Sequence, residues 1–333
     1  MHLLENPLNL ILWAARRNEY DVINLYNYLS GLMHIATDDY FLNFGYWNKG
    51  TNTPSEAQRG LCSLVAASAN LYSAKTVLDI GSGFSAPGVY WKSLFSSLNV
   101  VCVDVNFCQL KLGVSLQDDL KEHNIIFPLS KKDNNTKELK LSLEYKLPPS
   151  EHLEKLSFVN ATSTLLPFAD NSVDRIIALE SAQHFRPLGE FFSESNRVLQ
   201  KDGIFVIAIP VVTHNQKCAL LGNSMFSEVI NFMYSFYKLG VLSFAWMSEH
   251  FDLNYVESQI VKAGFQPKEM QLIGSHVYEP LSSYYIQNRE KLRNAILKEY
   301  PSYVEKILYI SILKMNELSE KGVIDYAIIR AKK

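Results

Sequence analysis

The segment Thr76-Val77-Leu78-Asp79-Ile80-Gly81-Ser82-Gly83 constrains this chain more than any other. A short apolar run carries an acidic residue and breaks at two glycines on alternate positions. The run predicts a buried parallel strand, and the glycines let the backbone turn tightly against a bound ligand. The carboxylate selects among ligands: it suits a cation and repels a pyrophosphate.

Gly81-x-Gly83-x-x-Ala86 also satisfies the dinucleotide fingerprint, with Ala in its last place. A dinucleotide would set its phosphates on the helix N-terminus just beyond the glycines. Asp79, two residues before Gly81, would then hold one negative charge against another. S-adenosylmethionine carries an ammonium and a sulfonium and meets the acid without that conflict. The residues favour this methyl donor over a nicotinamide cofactor; a strand-turn-helix without any ligand is the remaining alternative.

The rest of the chain alternates strands and helices. Strands are predicted at Thr76–Ile80, Asn99–Val103 ending in Asp104, Leu156–Asn160, Val173–Leu179, Ile204–Ile209, Glu269–Val277 and Val323–Ala331. Helices are predicted from about Pro87, over Phe107–His123, over Glu190–Leu199 before Asp202-Gly203, and over Asn254–Ala263 before Gly264. This pattern implies an α/β fold with a doubly wound, Rossmann-like, seven-stranded sheet. Residues 1–73 read as a helical N-terminal cap, with helical spacing through Asp21–Ile35 and Ser55–Leu71 and an aromatic loop at 40–47. Thr53 or Ser55 is available as a helix cap beside Pro54. Residues 74–333 then form the cofactor-binding domain. Within it, 124–152 is a polar surface insertion, 211–250 an apolar lid and 280–321 a helical insertion.

Composition narrows the partners. A net charge of −2 gives no electrostatic reason to expect nucleic acid. Cys62, Cys102, Cys108 and Cys218 show neither metal spacing nor a paired framework, so they read as reduced, and no metal is expected. Leu8–Trp13 is too short for a leader and its cationic residues follow it, which makes a cytoplasmic location the default. Residues 218–248 hold only Glu228 and Lys238 as charges among many aromatics, yet polar residues interrupt them too often for a transmembrane span. They read either as a buried helical pair or as an apolar lid over an acceptor pocket.

Asp104 stands 21 residues past Gly83, at the end of the second strand. An acid there can accept hydrogen bonds from both ribose hydroxyls of a nucleotide cofactor; capping the next helix is the competing role. Gln109, a turn into that helix, reaches toward the same ribose.

With these residues in place, the chain resembles class I S-adenosylmethionine-dependent methyltransferases, in particular the sterol, tocopherol, sugar and polyketide O- and C-methyltransferase branch. The matching motifs are Asn43-Phe44-Gly45-Tyr46-Trp47, Val77–Gly83, Val103-Asp104, Leu166-Pro167-Phe168 with Asp170-Asn171-Ser172-Val173-Asp174, Ala178-Leu179-Glu180-Ser181-Ala182-Gln183-His184-Phe185, and Arg197-Val198-Leu199 with Asp202-Gly203. They lie in order across roughly residues 40–210. The resemblance implies that Asp79, Gly81 and Gly83 hold the methionyl end, and that Asp104, with Val105 and Gln109 beside it, holds the ribose. It places Asn160 and Ala161 against the adenine, with Thr162 a rival because two extra residues precede Pro167. Tyr46 and Trp47 would close over the donor, where aromatic faces can meet the sulfonium.

For the chemistry, the resemblance implies His184 as the base that takes the acceptor's proton, the alternatives being a structural hydrogen-bonder or a substrate-orienting role. Glu180 is implied to contact donor or acceptor, or to stabilise a cation during C-methylation. Two departures stand out before the C-terminal third. Ser85 replaces a frequent third glycine, and Ala208-Ile209-Pro210 lacks the acid many relatives carry after strand five, leaving His214 as a substitute. About forty residues intervene between the last two strands, where Ile286–Tyr300 and Tyr303–Leu318 read as an amphipathic pair. The sequence leaves open whether that pair forms a homodimer surface, a pocket wall or a peripheral membrane-facing patch. The function expected is methyl transfer to O or C of a small, lipophilic acceptor. A catalytically silent donor-binding partner protein is the alternative, and a nicotinamide oxidoreductase is disfavoured by Asp79.

Overall fold

The computed structural model describes residues 18–123, 156–213 and 251–333. The apolar Leu8–Trp13 run, the 124–152 insertion, the 218–248 segment, His214 and Cys218 lie outside the described residues. Helix α1 (Glu19–Thr37) starts where the Asn18 side chain accepts the Asp21 N–H at 3.0 Å. An extended aromatic loop follows, then α2 (Pro54–Ser68), where Thr53 accepts the Glu56 N–H and Pro54 sits in the first turn, where its missing N–H costs nothing.

The alternating part then runs β1 (Thr76–Ile80), α3 (Ala86–Leu94), β2 (Asn99–Asp104), α4 (Phe107–His123), β3 (Leu156–Asn160), β4 (Val173–Leu179), α5 (Leu188–Val198) and β5 (Leu199–Val212). After it come the two-residue β6 (Phe251–Asp252), α6 (Leu253–Lys262), β7 (Gln266–Leu272), α7 (Tyr278–Gln287), α8 (Arg289–Ile296), α9 (Ser302–Glu320) and β8 (Ile324–Lys332). The sheet order is β3-β2-β1-β4-β5-β8-β7, with β6 pairing β5. Strands β1 to β5 are parallel to their neighbours, and β8 is antiparallel to both β5 and β7. The expected mixed α/β sheet is present, with β6 as an added eighth strand.

Both faces of the sheet are covered, which explains why its strands read as unbroken apolar runs. Val77, Ile177, Val206 and Ile328 point into one core with α1, α2 and α7 to α9. Leu78, Ile176, Phe205 and Ile329 point into the other, with α5 and α6. Successive residues of one strand thus feed opposite cores.

Several boundaries differ from the sequence reading. Strand β5 begins at Leu199, not Ile204, because Asp202, at φ +64°, forms a bulge between the Leu199 and Ile204 pairings. Strand β7 spans Gln266–Leu272 and not Glu269–Val277: Ile273 turns into a short helix and the Asp325 carboxylate takes the Gly274 N–H at 2.8 Å. The expected two C-terminal helices are three, divided at Asn288 as well as near Pro301.

Candidate active site

A cleft enclosing about 970 Å³, open mouth included, lies beyond the C-terminal ends of β1, β2 and β4. This is the point where the strand order reverses, the usual ligand position of a doubly wound sheet. The turn after β1 forms its floor. The N–H groups of Gly81 and Ser82 both donate to the Val103 carbonyl, at 2.7 and 3.1 Å. Gly81 sits at φ +73°, and a Cβ there would overlap Ser181 and lie 3.0 Å from the Phe185 ring. Only glycine satisfies both the backbone angle and the space.

The lining is acidic. Glu19, Asp79, Asp104 and Glu180 face the cleft, and no Lys or Arg does among the described residues. Asp79 is 1% exposed, and its Oδ2 has no hydrogen-bond partner among them. Burial, reinforced by the nearby Asp104 charge, pushes its carboxyl up to about 8. Asp104 is also pushed up by burial, to about 6, while hydrogen bonds from the backbone oppose the shift. Its Oδ2 accepts the Gly83 N–H at 2.8 Å and its Oδ1 the Asn106 N–H at 2.7 Å.

Glu180 follows β4 in the left-handed region, at φ +51°. Its Oε1 accepts the Phe44 N–H at 2.9 Å and the Tyr326 hydroxyl at 2.8 Å, yet burial still pushes its carboxyl up to about 8. His184 lies in the short helix Ala182–His184 just beyond, with Nε2 2.8 Å from the Tyr26 hydroxyl on α1.

Asp79, Gly81, Gly83, Asp104, Val105, Gln109, Ala161, Glu180 and His184, all singled out from sequence, line this one cleft. Four others do not. Tyr46 and Trp47 turn toward the C-terminal helices: Trp47 donates its backbone N–H to the His276 carbonyl at 2.8 Å and packs on Tyr284, and Tyr46 packs on the His276 ring. Asn160 spends its amide donors on the carbonyls of Asp104 and Val105, both at 2.9 Å. Thr162 donates its hydroxyl to Glu19. From the aromatic loop it is Tyr40, Leu42 and Asn43 that reach the cleft.

The sequence reading also missed Tyr26, Asn106 and Ser163. Asn106 carried a usable signal, since an Asn two residues after a strand-ending acid commonly caps the next helix; its Oδ1 accepts the Cys108 N–H at 3.1 Å. Tyr26 carried none beyond the helical period of α1.

Comparison with known proteins agrees with this geometry. A family model described as a methyltransferase domain matches residues 131–207. The erythromycin 3''-O-methyltransferase of Saccharopolyspora erythraea is 23% identical over 305 residues, covering 90% of this chain and 85% of that protein. The cyclopropane synthase MmaA2 from Mycobacterium tuberculosis shares the fold with a TM-score of 0.68 at 17% identity, covering 92% of this chain and 95% of that one. The mycolic acid cyclopropane synthase CmaA1, solved with SAH and CTAB, aligns with a TM-score of 0.65 at 18% identity over 91% of this chain and 94% of its own. Family match, relative and shared fold support a class I S-adenosylmethionine-dependent methyltransferase of small-molecule type, with S-adenosylmethionine as its cofactor.

The residues present fit that cofactor. An unpartnered, buried carboxylate oxygen on Asp79 calls for a cationic donor of hydrogen bonds. No helix among the described residues is long and apolar enough to cross a membrane.

Proposed function

We propose that this protein methylates a hydroxyl oxygen of a small, lipophilic metabolite. One observation carries the reading: the unpartnered Asp79 oxygen and the imidazole of His184 face the same cleft. The first suits a cationic donor, and the second is an imidazole, a side chain that can accept a proton. S-adenosylmethionine, when bound, supplies an electrophilic methyl group on a sulfonium.

The protein's own residues do the rest. Asp79 holds the ammonium, and the Gly81–Gly83 backbone lies against the methionyl chain. Asp104 keeps lone pairs for the ribose hydroxyls beyond the two backbone N–H groups it already accepts. Gln109 donates its amide to Ser30 at 2.8 Å, which leaves its Oε1 for the ribose side. Val105 and Ala161 line the adenine side. His184 receives the acceptor's proton, and fixing acceptor and donor together contributes by alignment more than by any covalent step. The apolar lining from Val22, Ile23, Leu42, Phe84 and Phe185 supports a lipophilic acceptor, and the O-methyltransferase named as a relative supports oxygen as the atom methylated.

Methyl-labelled S-adenosylmethionine incubated with a panel of hydroxylated polyketides, their glycosides, sterols and terpenes tests this. Label on oxygen is expected. Label on carbon would reassign the acceptor atom, and no transfer with intact donor binding would make the protein a silent donor-binding partner.

A further inference from the structure

A second cavity lies among α1, the aromatic loop, α2 and the C-terminal helices α7 to α9, and encloses about 430 Å³ with its open mouth included. Asn43 is the one described residue that lines both this chamber and the Asp79 cleft. Its side chain is spent on the wall itself: the amide donates to Cys62 Sγ at 3.6 Å, and Oδ1 accepts the Gly45 N–H at 3.1 Å. Phe44 lines the chamber beside it, and its N–H is held by Glu180 on the cleft side.

Most of the chamber is apolar, from Met33, Leu281, Leu292, Leu308 and Ile312. Two buried polar groups break that lining. Gln58, 1% exposed, donates its amide to the carbonyls of Phe41 at 3.0 Å and Asn43 at 2.8 Å, which fixes its orientation and leaves Oε1 without a partner. Tyr285, 3% exposed, faces the chamber from α7, and its hydroxyl is also unpartnered. Burial, reinforced by the nearby Glu305 charge, pushes this phenol up, so it keeps a proton to donate. Interiors rarely leave such groups unsatisfied. One water takes up about 30 Å³ and would leave most of this apolar space empty. No Asp, Glu, Lys, Arg or His lines the chamber among the described residues, so a charged occupant would stay unpaired.

We propose that this chamber is a second ligand site, separate from the methyl-transfer cleft, for a neutral and largely apolar alcohol. The ligand's hydroxyl donates to Gln58 Oε1 and accepts from Tyr285 Oη. Its carbon skeleton fills the space between α1 and the C-terminal helices. The Asn43–Phe44 wall keeps it from the donor.

The test uses the full chain labelled with ¹³C-methyl methionine, with the Met33 signal assigned by its loss in Met33→Leu. Para-cresol and cyclohexanol are the probes, and para-xylene is the hydroxyl-free twin of the first. Both alcohols should shift Met33 saturably, and para-cresol should bind more tightly than para-xylene. Tyr285→Phe removes a hydroxyl that has no partner in the free protein, so its melting temperature should not fall. It should weaken para-cresol about fivefold and leave para-xylene within about twofold. Ala36→Phe fills the chamber and should abolish the Met33 response to all three, with S-adenosylmethionine affinity kept within about twofold. A Met33 signal that neither alcohol moves would mean ordered water only and would overturn the site, as would a para-cresol affinity indifferent to Tyr285→Phe. Saturating para-cresol should leave the KM of any acceptor the panel turns over unmoved. A competitive rise in that KM would overturn the separation and make the chamber part of the acceptor's own site. The Met33 readings stand whether or not the wild type transfers a methyl group, so failure of the transferase reading is distinguishable from failure of this one.

Discussion

Asp104 accepts the backbone N–H of Gly83 at 2.8 Å, tying the end of β2 to the turn that follows β1. One carboxylate therefore shapes the floor of the cleft and faces into it. Because its second oxygen holds the Asn106 N–H, it also fixes the start of α4.

Replacing Asp104 separates these roles. Asp104→Ala strands two backbone N–H groups and should cost on the order of 2 kcal/mol in stability as well as most of the donor affinity. Asp104→Asn keeps one acceptor oxygen, so its melting temperature should fall less while its affinity still drops. Denaturant melts and calorimetry with S-adenosylmethionine read the two effects; unchanged affinity in Asp104→Ala would remove the ribose assignment.

Asp79 ties stability and donor affinity to pH with opposite signs. Its carboxyl rises from 3.8 to about 8 on folding, so the native protein holds a proton that the unfolded chain has released in between. The stability of the ligand-free protein is therefore full at acid pH, below the unfolded value, and is lost as pH rises through about 8. Glu180, also near 8 through burial, adds the same sign. An ammonium against Asp79 favours the carboxylate, so donor binding should strengthen over this range and release a proton. Melting temperatures at about pH 6 and about pH 8.5 should fall without the donor, while the gain from adding it grows. Asp79→Asn should flatten both trends and raise the ligand-free melting temperature at the higher pH. A donor-induced gain identical at both values would take Asp79 out of the ammonium site.

The two glycines of the turn should respond unequally. Gly81→Ala meets Ser181, whose Oγ would lie 2.8 Å from the new Cβ, at a φ of +73°. Gly83→Ala meets the end of the flexible Leu42 side chain at 2.9 Å. Gly81→Ala should cost about 2 kcal/mol or more, and Gly83→Ala about 1. Ser181→Gly should recover part of the first loss and none of the second. Equal melting temperatures for the two single variants would sink this account of the turn.

What was legible in the sequence follows from which forces act locally. Strands β1, β3 and β4 match their expected bounds because each is an apolar run closed by turn residues, as is α4 by its period. Strand β5 starts before its apolar run because Leu199 pairs with Val173 of β4, a tertiary effect that no local pattern carries. The place of Asp79 and Asp104 in the cleft was readable because each lies at the C-terminal end of a strand beside the Gly81–Gly83 turn. Tyr46 and Trp47 were misplaced although their motif was recognised: in this loop Leu42 and Asn43 face the cleft, whereas Tyr46 and Trp47 follow backbone bonds to α2 and to His276. Tyr26 was invisible because helical spacing defines a face of α1 and leaves unstated what that face meets.

Glu180 should prove sensitive to shape before charge. Its Oε1 receives two donors, the Phe44 N–H from the aromatic loop and the Tyr326 hydroxyl from β8, so it joins three elements at one atom. Glu180→Gln retains that acceptor and should fold with a melting temperature near wild type. Glu180→Ala leaves a buried N–H and a buried phenol without their partner and should cost about 2 to 4 kcal/mol. Tyr326→Phe removes one of the two donors and should cost less than Glu180→Ala, with the loss partly shared in the double variant. If oxygen is the methylated atom, Glu180→Gln should keep most of its turnover, because neutralising Glu180 leaves His184 in place. A collapse of turnover in Glu180→Gln with normal donor affinity would instead assign the carboxylate to stabilising positive charge on the acceptor, the requirement of carbon methylation.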